Sequence, residues 1–460
     1  MMSAKNFFIC ILFATLIFTS SAASPCKEKS IYKLLIIAPK EFCPLLKPLV
    51  AHKEKVGIPT KLVSLEKVYD EMFWYGRDEP EKIKYFIKFA IERWGIKYVL
   101  LVGDYKKIPV RYVYNSFNYS FFPEEKFISE LYYADIYDKH GRFSSWDTNN
   151  NGIYGEWFGK EAEDKNIDLY PDVYVGRLAC RNSFEVAVMV DKIIKYETRT
   201  YGSKWFRRFV VVGGDTYPEC LNPKWKGYEG EENTLKAIKN MTGFEPIKLW
   251  TSDGSLKGPI DVIRAINRGC GFIYFDGHGS PMSWATHPPN NAEKWVRGLE
   301  NYNMWMLHNG YKLPVCVVSG CHNSEFDTTP LNLLLNPRES FFLRLDFVPE
   351  CWSWKLVSKP FGGAIAVIGC TGLGMTKEDK SSFSGGLDYL DARFFWEYGV
   401  NGTDILGEVW GKAISDYLDK YPINWSSPAM SDSAIDAKTV EQWVLLGDPS
   451  LKIGGYAEID

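Results

Sequence analysis

Apolar runs of about five residues, alternating with segments of helical period, constrain the fold of this chain more than any other feature of its sequence. The runs are Leu34–Ala38, Tyr98–Val102, Asp172–Gly176, Phe209–Val212, Ile247–Leu249, Phe272–Phe275, Val315–Ser319 and Ala364–Ile368. Asp78 is placed to cap a helix whose apolar residues Ile83, Phe86, Ile87, Ala90, Ile91 and Trp94 follow the 3.6-residue period, and Gly95 ends it. Asn182 with Glu185 three residues later forms a capping box for a helix carrying Val186, Met189, Val190, Ile193 and Ile194. Glu232–Met241 and Pro259–Arg268 are helices of a second series. The expected fold is α/β with largely parallel, doubly wound sheets in two units, residues 31–200 and 201–455. Gly141–Glu156 and Thr376–Gly386 are polar stretches long enough to be functional loops.

The first 23 residues stand apart. Lys5 precedes twelve residues, Phe7 to Phe18, that are apolar except for Thr15, and the small residues Ser20, Ser21, Ala22 and Ala23 follow. That order is a secretory signal peptide, so the mature chain is expected outside the cytoplasm, secreted or at the cell surface. No later run of about 18 apolar residues appears, and no transmembrane helix is expected after signal removal. Cleavage leaves nine cysteines, Cys26, Cys43, Cys180, Cys220, Cys270, Cys316, Cys321, Cys351 and Cys370. Their odd number leaves at least one free thiol or one mixed partner, and buried unpaired cysteines are the alternative to disulfides. A formal charge of −3, from 54 basic and 57 acidic residues, gives no footprint for nucleic acid. Oligomeric state is open on these data.

Chemistry concentrates late in the chain. Four of the six histidines fall between residues 278 and 322. Phe272–Phe275 runs into Asp276-Gly277-His278-Gly279-Ser280, and Val315–Ser319 runs into Gly320-Cys321-His322. Open α/β sheets place their sites just past the carboxyl ends of strands, so neighbouring strands would bring imidazole and thiol together. A thiolate attacks acyl carbon readily, the leaving amine needs a proton from a positioned acid, and flanking glycines expose N–H groups to an oxyanion. Cys370 also follows an apolar run and is the rival nucleophile, although it lies 92 residues from His278 where Cys321 lies 43. A metal held by His278, His287, Cys321 and His322 would lack the compact ligand spacing of zinc sites.

This pattern resembles the clan CD cysteine peptidases, which include caspases, legumains and gingipains, and is most similar to the gingipain family. The similarity rests on Tyr274–Trp284 (YFDGHGSPMSW), Leu313–Asp327 (LPVCVVSGCHNSEFD), Pro171–Arg177 (PDVYVGR), Tyr98–Asp104 (YVLLVGD) and Trp443–Leu451 (WVLLGDPSL), in family order. It implies caspase-like subdomains and a cysteine endopeptidase acting on protein or peptide substrates, with no cofactor in catalysis. Position by position, Cys321 matches the nucleophile and His278 the general acid/base. Asp215 matches the acidic residue that orients the histidine, although a turn after Gly213-Gly214 would also use it. The N–H groups of Gly279 and Cys321 match the oxyanion hole. Glu229, Glu231 and Glu232 compete for the place of an acidic residue that selects basic side chains, and Trp284 is a further candidate for substrate contact. A non-catalytic surface-binding or assembly protein, or a transpeptidase using the same thioester, would share this fold.

One motif is independent of the thiol. Asp147, Asn149, Asn151, the Ile153 carbonyl and Glu156 present oxygens at alternating positions around Gly152, as calcium loops do. Phe158 stands at the twelfth position, where a carboxylate usually closes the shell. An ion there would be structural, since Lewis-acid chemistry needs an open position beside the reacting atoms.

Overall fold

Every apolar run named above becomes a strand in the computed structural model, which describes residues 31–457 other than 116, 120, 121, 226, 380 and 381. The signal segment and Cys26 lie outside the described residues. The strands of the main sheet are β1 (Leu34–Ala38), β2 (Thr60–Ser64), β3 (Tyr98–Val102), β4 (Tyr174–Leu178), β5 (Arg208–Gly213), β6 (Glu245–Trp250), β7 (Phe272–Asp276), β8 (Val315–Ser319), β9 (Ala366–Cys370) and β10 (Trp443–Leu446). They form one ten-stranded sheet in the order β6-β5-β7-β8-β9-β10-β4-β3-β1-β2. The two units expected from the sequence therefore share a sheet. β10 is antiparallel to β9 and meets β4 at Leu446 and Arg177.

Local chemistry explains the elements that cover the sheet. The Asp78 carboxylate accepts from Glu81 N–H at 2.9 Å and starts α1 (Glu79–Trp94), which ends where Gly95 turns left-handed at φ 70°. Asn182 accepts from Glu185 N–H at 3.0 Å and starts α2 (Ser183–Arg199). β1, β3, β7, β8 and β9 are buried along their whole length, as strands covered by helices on both faces must be.

A buried charge cluster also ties the two halves. Lys53 Nζ, fully buried, lies 2.9 Å from Glu197 and 2.8 Å from Asp448, and His52 Nε2 lies 2.7 Å from Glu197. Burial alone would push the Glu197 carboxyl up, but the adjacent Lys53 charge and the His52 bond hold it below its ordinary range.

Candidate active site

Two register partners, Asp276 at the end of β7 and Ser319 at the end of β8, set the two reactive loops side by side. Gly277 N–H donates to the Ser319 carbonyl at 3.1 Å and holds the loops together as they leave the sheet. Beyond it the chain forms a small antiparallel sheet of His278–Gly279, Ser283–Thr286 and Val296–Glu300. The loops touch through glycine. A Cβ on Gly279 would lie 2.2 Å from Asn323 Oδ1 and 2.8 Å from the Cys321 carbonyl, and one on Gly320 would lie 2.3 Å from the same Oδ1. Asn323, fully buried, donates through Nδ2 to the carbonyls of Ser280 at 2.8 Å and Ser283 at 3.0 Å. The side chain two residues past the thiol thus fixes the turn two residues past His278. Asn323 was not anticipated, although it stands in the quoted Gly-Cys-His-Asn segment.

His278 and Cys321 line the same two cavities. His278 Nε2 lies 2.8 Å from the Thr216 carbonyl. A carbonyl only accepts, so the imidazole proton sits on Nε2 and the Nδ1 lone pair is free. Burial pushes His278 down to about 4, with the nearby His287 adding to the effect against the Thr216 bond. Burial likewise raises the Cys321 thiol, whose Sγ lies 3.8 Å from the Gly374 carbonyl. The resting pair is therefore neutral thiol and neutral imidazole.

Asp215 occupies another place. Its carboxylate accepts from Asn290 N–H at 2.6 Å, its own N–H donates to the His287 carbonyl at 3.0 Å, and burial raises its pKa. No hydrogen bond joins it to His278. The histidine is held instead by the main chain of the next residue.

The larger cavity, about 870 Å³, lies between the small sheet and the segment 339–347, with His278, Gly279 and Cys321 in its wall. Glu124, from the loops after β3, reaches its floor beside His322. There it pairs with the fully buried Lys438 and lies 3.6 Å from His322 Nε2, whose Nδ1 is 2.9 Å from Glu325. Burial would lower His322, but the two carboxylates raise it. No spacing in the sequence links Glu124 to Cys321. Trp284 requires a correction: its ring is fully buried against Phe275, at 5.3 Å between centroids, and has no surface to offer a substrate. Trp295 is the exposed indole here, with its ring centroid 5.3 Å from that of His278.

The smaller cavity, about 30 Å³, is acidic, with Glu229, Asp276 and Asp388 around Cys321 and Gly320. Burial pushes both Glu229 and Asp388 up to about 7. Of the three competing glutamates only Glu229 lines it. Glu231 is turned to Ser252, whose N–H it accepts at 2.9 Å, and Glu232 is exposed and lines neither cavity. Cys370 is fully buried and lines neither cavity. Among the described residues the cysteines form no disulfide.

In the loop at 147–156 the oxygens are turned to internal donors. Asp147 accepts from Arg77 Nη1 at 2.6 Å and from the N–H groups of Asn151 and Gly152 at 3.0 Å, and the Asn151 oxygen accepts from Ile153 N–H at 2.8 Å. Asn149 and Asn151 give their amide N–H groups to Glu156. The Arg77 guanidinium supplies the positive charge that the Asp147 carboxylate requires.

A thiol and an imidazole stand at adjacent strand ends of a mainly parallel sheet and open on one cleft, the arrangement that a cysteine hydrolase needs. Residues 27–454 match Peptidase family C25, and the chain belongs to that family, which comprises cysteine-type endopeptidases. Gingipain R2 and gingipain R1 of Porphyromonas gingivalis are each 23% identical to it over 434 residues, 94% of this chain. The chain spans 47% of the first relative's length and 35% of the second's. The crystal structure of the arginine-specific cysteine proteinase gingipain R superposes with a TM-score of 0.60 at 19% identity, covering 94% of this chain and 80% of that one. A solved structure described only as a protease also reaches 0.60, at 14% identity, with 92% and 79% covered. These likenesses establish the caspase-like α/β fold.

Proposed function

We propose that this protein is an endopeptidase in which Cys321 and His278 cleave peptide bonds through an acyl-enzyme. The observation that carries this reading is that both groups open onto the same cavities, while the Thr216 carbonyl leaves His278 Nδ1 free. As sulfur attacks the substrate carbonyl, the thiol proton passes to Nδ1, so that no charge pair stands before the attack. The N–H groups of Gly279 and Cys321 are offered to the developing oxyanion. The imidazolium then protonates the leaving amine as its bond to carbon breaks, and water hydrolyses the thioester, returning the proton to sulfur.

Protein substrates outside the cytoplasm fit the leader-like residues 1–23, and no helix among the described residues is long and apolar enough to cross a membrane. The test is digestion of a mixed peptide library by the wild-type chain and by Cys321→Ala. Cleavage confined to the wild type is expected, and turnover by the variant would remove Cys321 from the mechanism.

A further inference from the structure

The larger cavity has two unlike kinds of wall. Its charged members are already matched to one another. Arg297 donates to Glu300 at 3.1 Å, Tyr302 donates to the same carboxylate at 2.5 Å, Arg344 lies 2.7 Å from Glu339, and Glu124 is paired with Lys438 and His322. What they leave facing the space is apolar. Phe341 and Phe347 stack at 5.7 Å between centroids, and Leu343, Leu345 and Met282 extend the same surface. Phe341 is 50% exposed and Leu343 40% exposed, although neither is at the far surface of the molecule: both face the cavity that holds Cys321. Apolar side chains left open beside a reactive group gain free energy only from something that covers them.

We infer that this wall is a specificity subsite: it binds a large apolar side chain, aromatic or long aliphatic, of a substrate residue flanking the bond that Cys321 attacks. This inference rests on the peptidase reading above and adds the class of peptide that the site prefers. The occupant follows from continuity. The wall and the Cys321–His278 pair border one space, so a chain held at the thiol must pass along Phe341 and Leu343. A charged flanking residue laid on Phe341, Phe347 and Leu343 would lose water and gain no partner from those side chains. Since burying a few methylene equivalents changes selectivity by about 10-fold or more, the preference is large enough to read in product ratios.

The experiment uses the full chain and peptides in which the positions on both sides of a fixed cleavage site are varied, with products identified by mass spectrometry. One flanking position should favour Phe, Leu or Met over Asp, Lys or Ser by about 10-fold or more. Phe341→Ser and Leu343→Ser should each shrink that ratio toward 1, and Phe341→Leu should restore most of it, with melting curves showing that the variants fold. Cleavage without flanking preference, or a preference unchanged in both serine variants, overturns the subsite alone. Failure of the wild-type chain to cleave any peptide overturns the peptidase reading and this inference with it.

Discussion

Removing the Asn323 side chain should slow the enzyme by a calculable amount. Asn323→Ala deletes two hydrogen bonds, at 2.8 Å and 3.0 Å, between the thiol loop and the turn that carries His278. Each is worth about 1 kcal/mol net, so about 2 kcal/mol of restraint between the two reactive loops is lost. The Ser280 and Ser283 carbonyls keep partners, because Ser280 N–H and Ser283 N–H also bond across that turn at 2.9 Å and 3.3 Å. The turn therefore survives and only its tether goes. If the tether's whole contribution is spent in aligning Nδ1 with the sulfur, kcat falls by about 30-fold, with KM changed by no more than about 2-fold. The assay is steady-state cleavage of the best library peptide, read beside a melting curve that should shift by only a few degrees. A variant that loses the expected stability yet keeps wild-type kcat would refute the argument, because the bonds would then be structural and unconnected to the alignment.

Two further outcomes follow from the charges. With the Cys321 thiol raised and His278 lowered to about 4, the proton stays on sulfur across neutral pH, so selective alkylation of Cys321 should accelerate with each unit up to pH 9. A rate already at its plateau near pH 6 would show instead a standing thiolate–imidazolium pair. Lys53→Met should destabilise the protein by about 3–5 kcal/mol, since Glu197 and Asp448 are left buried without their cation. Glu197 titrates below its ordinary value of 4.5 in the folded chain, so its contribution is present above that value and fades as pH falls through the lower folded one. The melting temperature of wild type should accordingly drop on acidification below pH 4.5, and a variant with unchanged stability at neutral pH would contradict the cluster's role.

How much was legible depended on whether the cause was local. Val315–Ser319 and Pro259–Arg268 were readable to the residue because each is an uninterrupted pattern with its own stop signals. The cap at Asp78 and the left-handed Gly95 were equally local. β4 begins two residues later than the sequence suggested, since Asp172 instead accepts the N–H groups of Ile136 and Tyr137 at 2.8 Å and 2.9 Å. β10 was quoted as a motif and not recognised as a strand, because four apolar residues specify neither direction nor neighbours. The thiol and imidazole lie side by side because the strand ends that carry them, both legible in the sequence, are neighbours in the sheet. Glu124 beside His322, the Thr216 carbonyl and the Arg77–Asp147 pair were not legible, being contacts across 198, 62 and 70 positions that only the folded topology creates. Trp284 shows the converse error, in which a ring next to the reactive histidine in sequence faces the interior.

The position of β10 also has a temporal meaning. β9 and β4 never touch within the sheet; residues 443–446 lie between them. A chain emerging from the ribosome from its N-terminus can pair β1 to β4, and later β5 to β9, but it cannot join the two sets until those four residues arrive. The helix just before them, Asp432–Glu441, carries Lys438, which neutralises Glu124 beneath the cleft. Completion of the sheet and completion of the cleft floor are thus one event, brought about by residues 432–446, and a nascent chain that already contains both reactive side chains lacks the enclosure around them until that segment emerges.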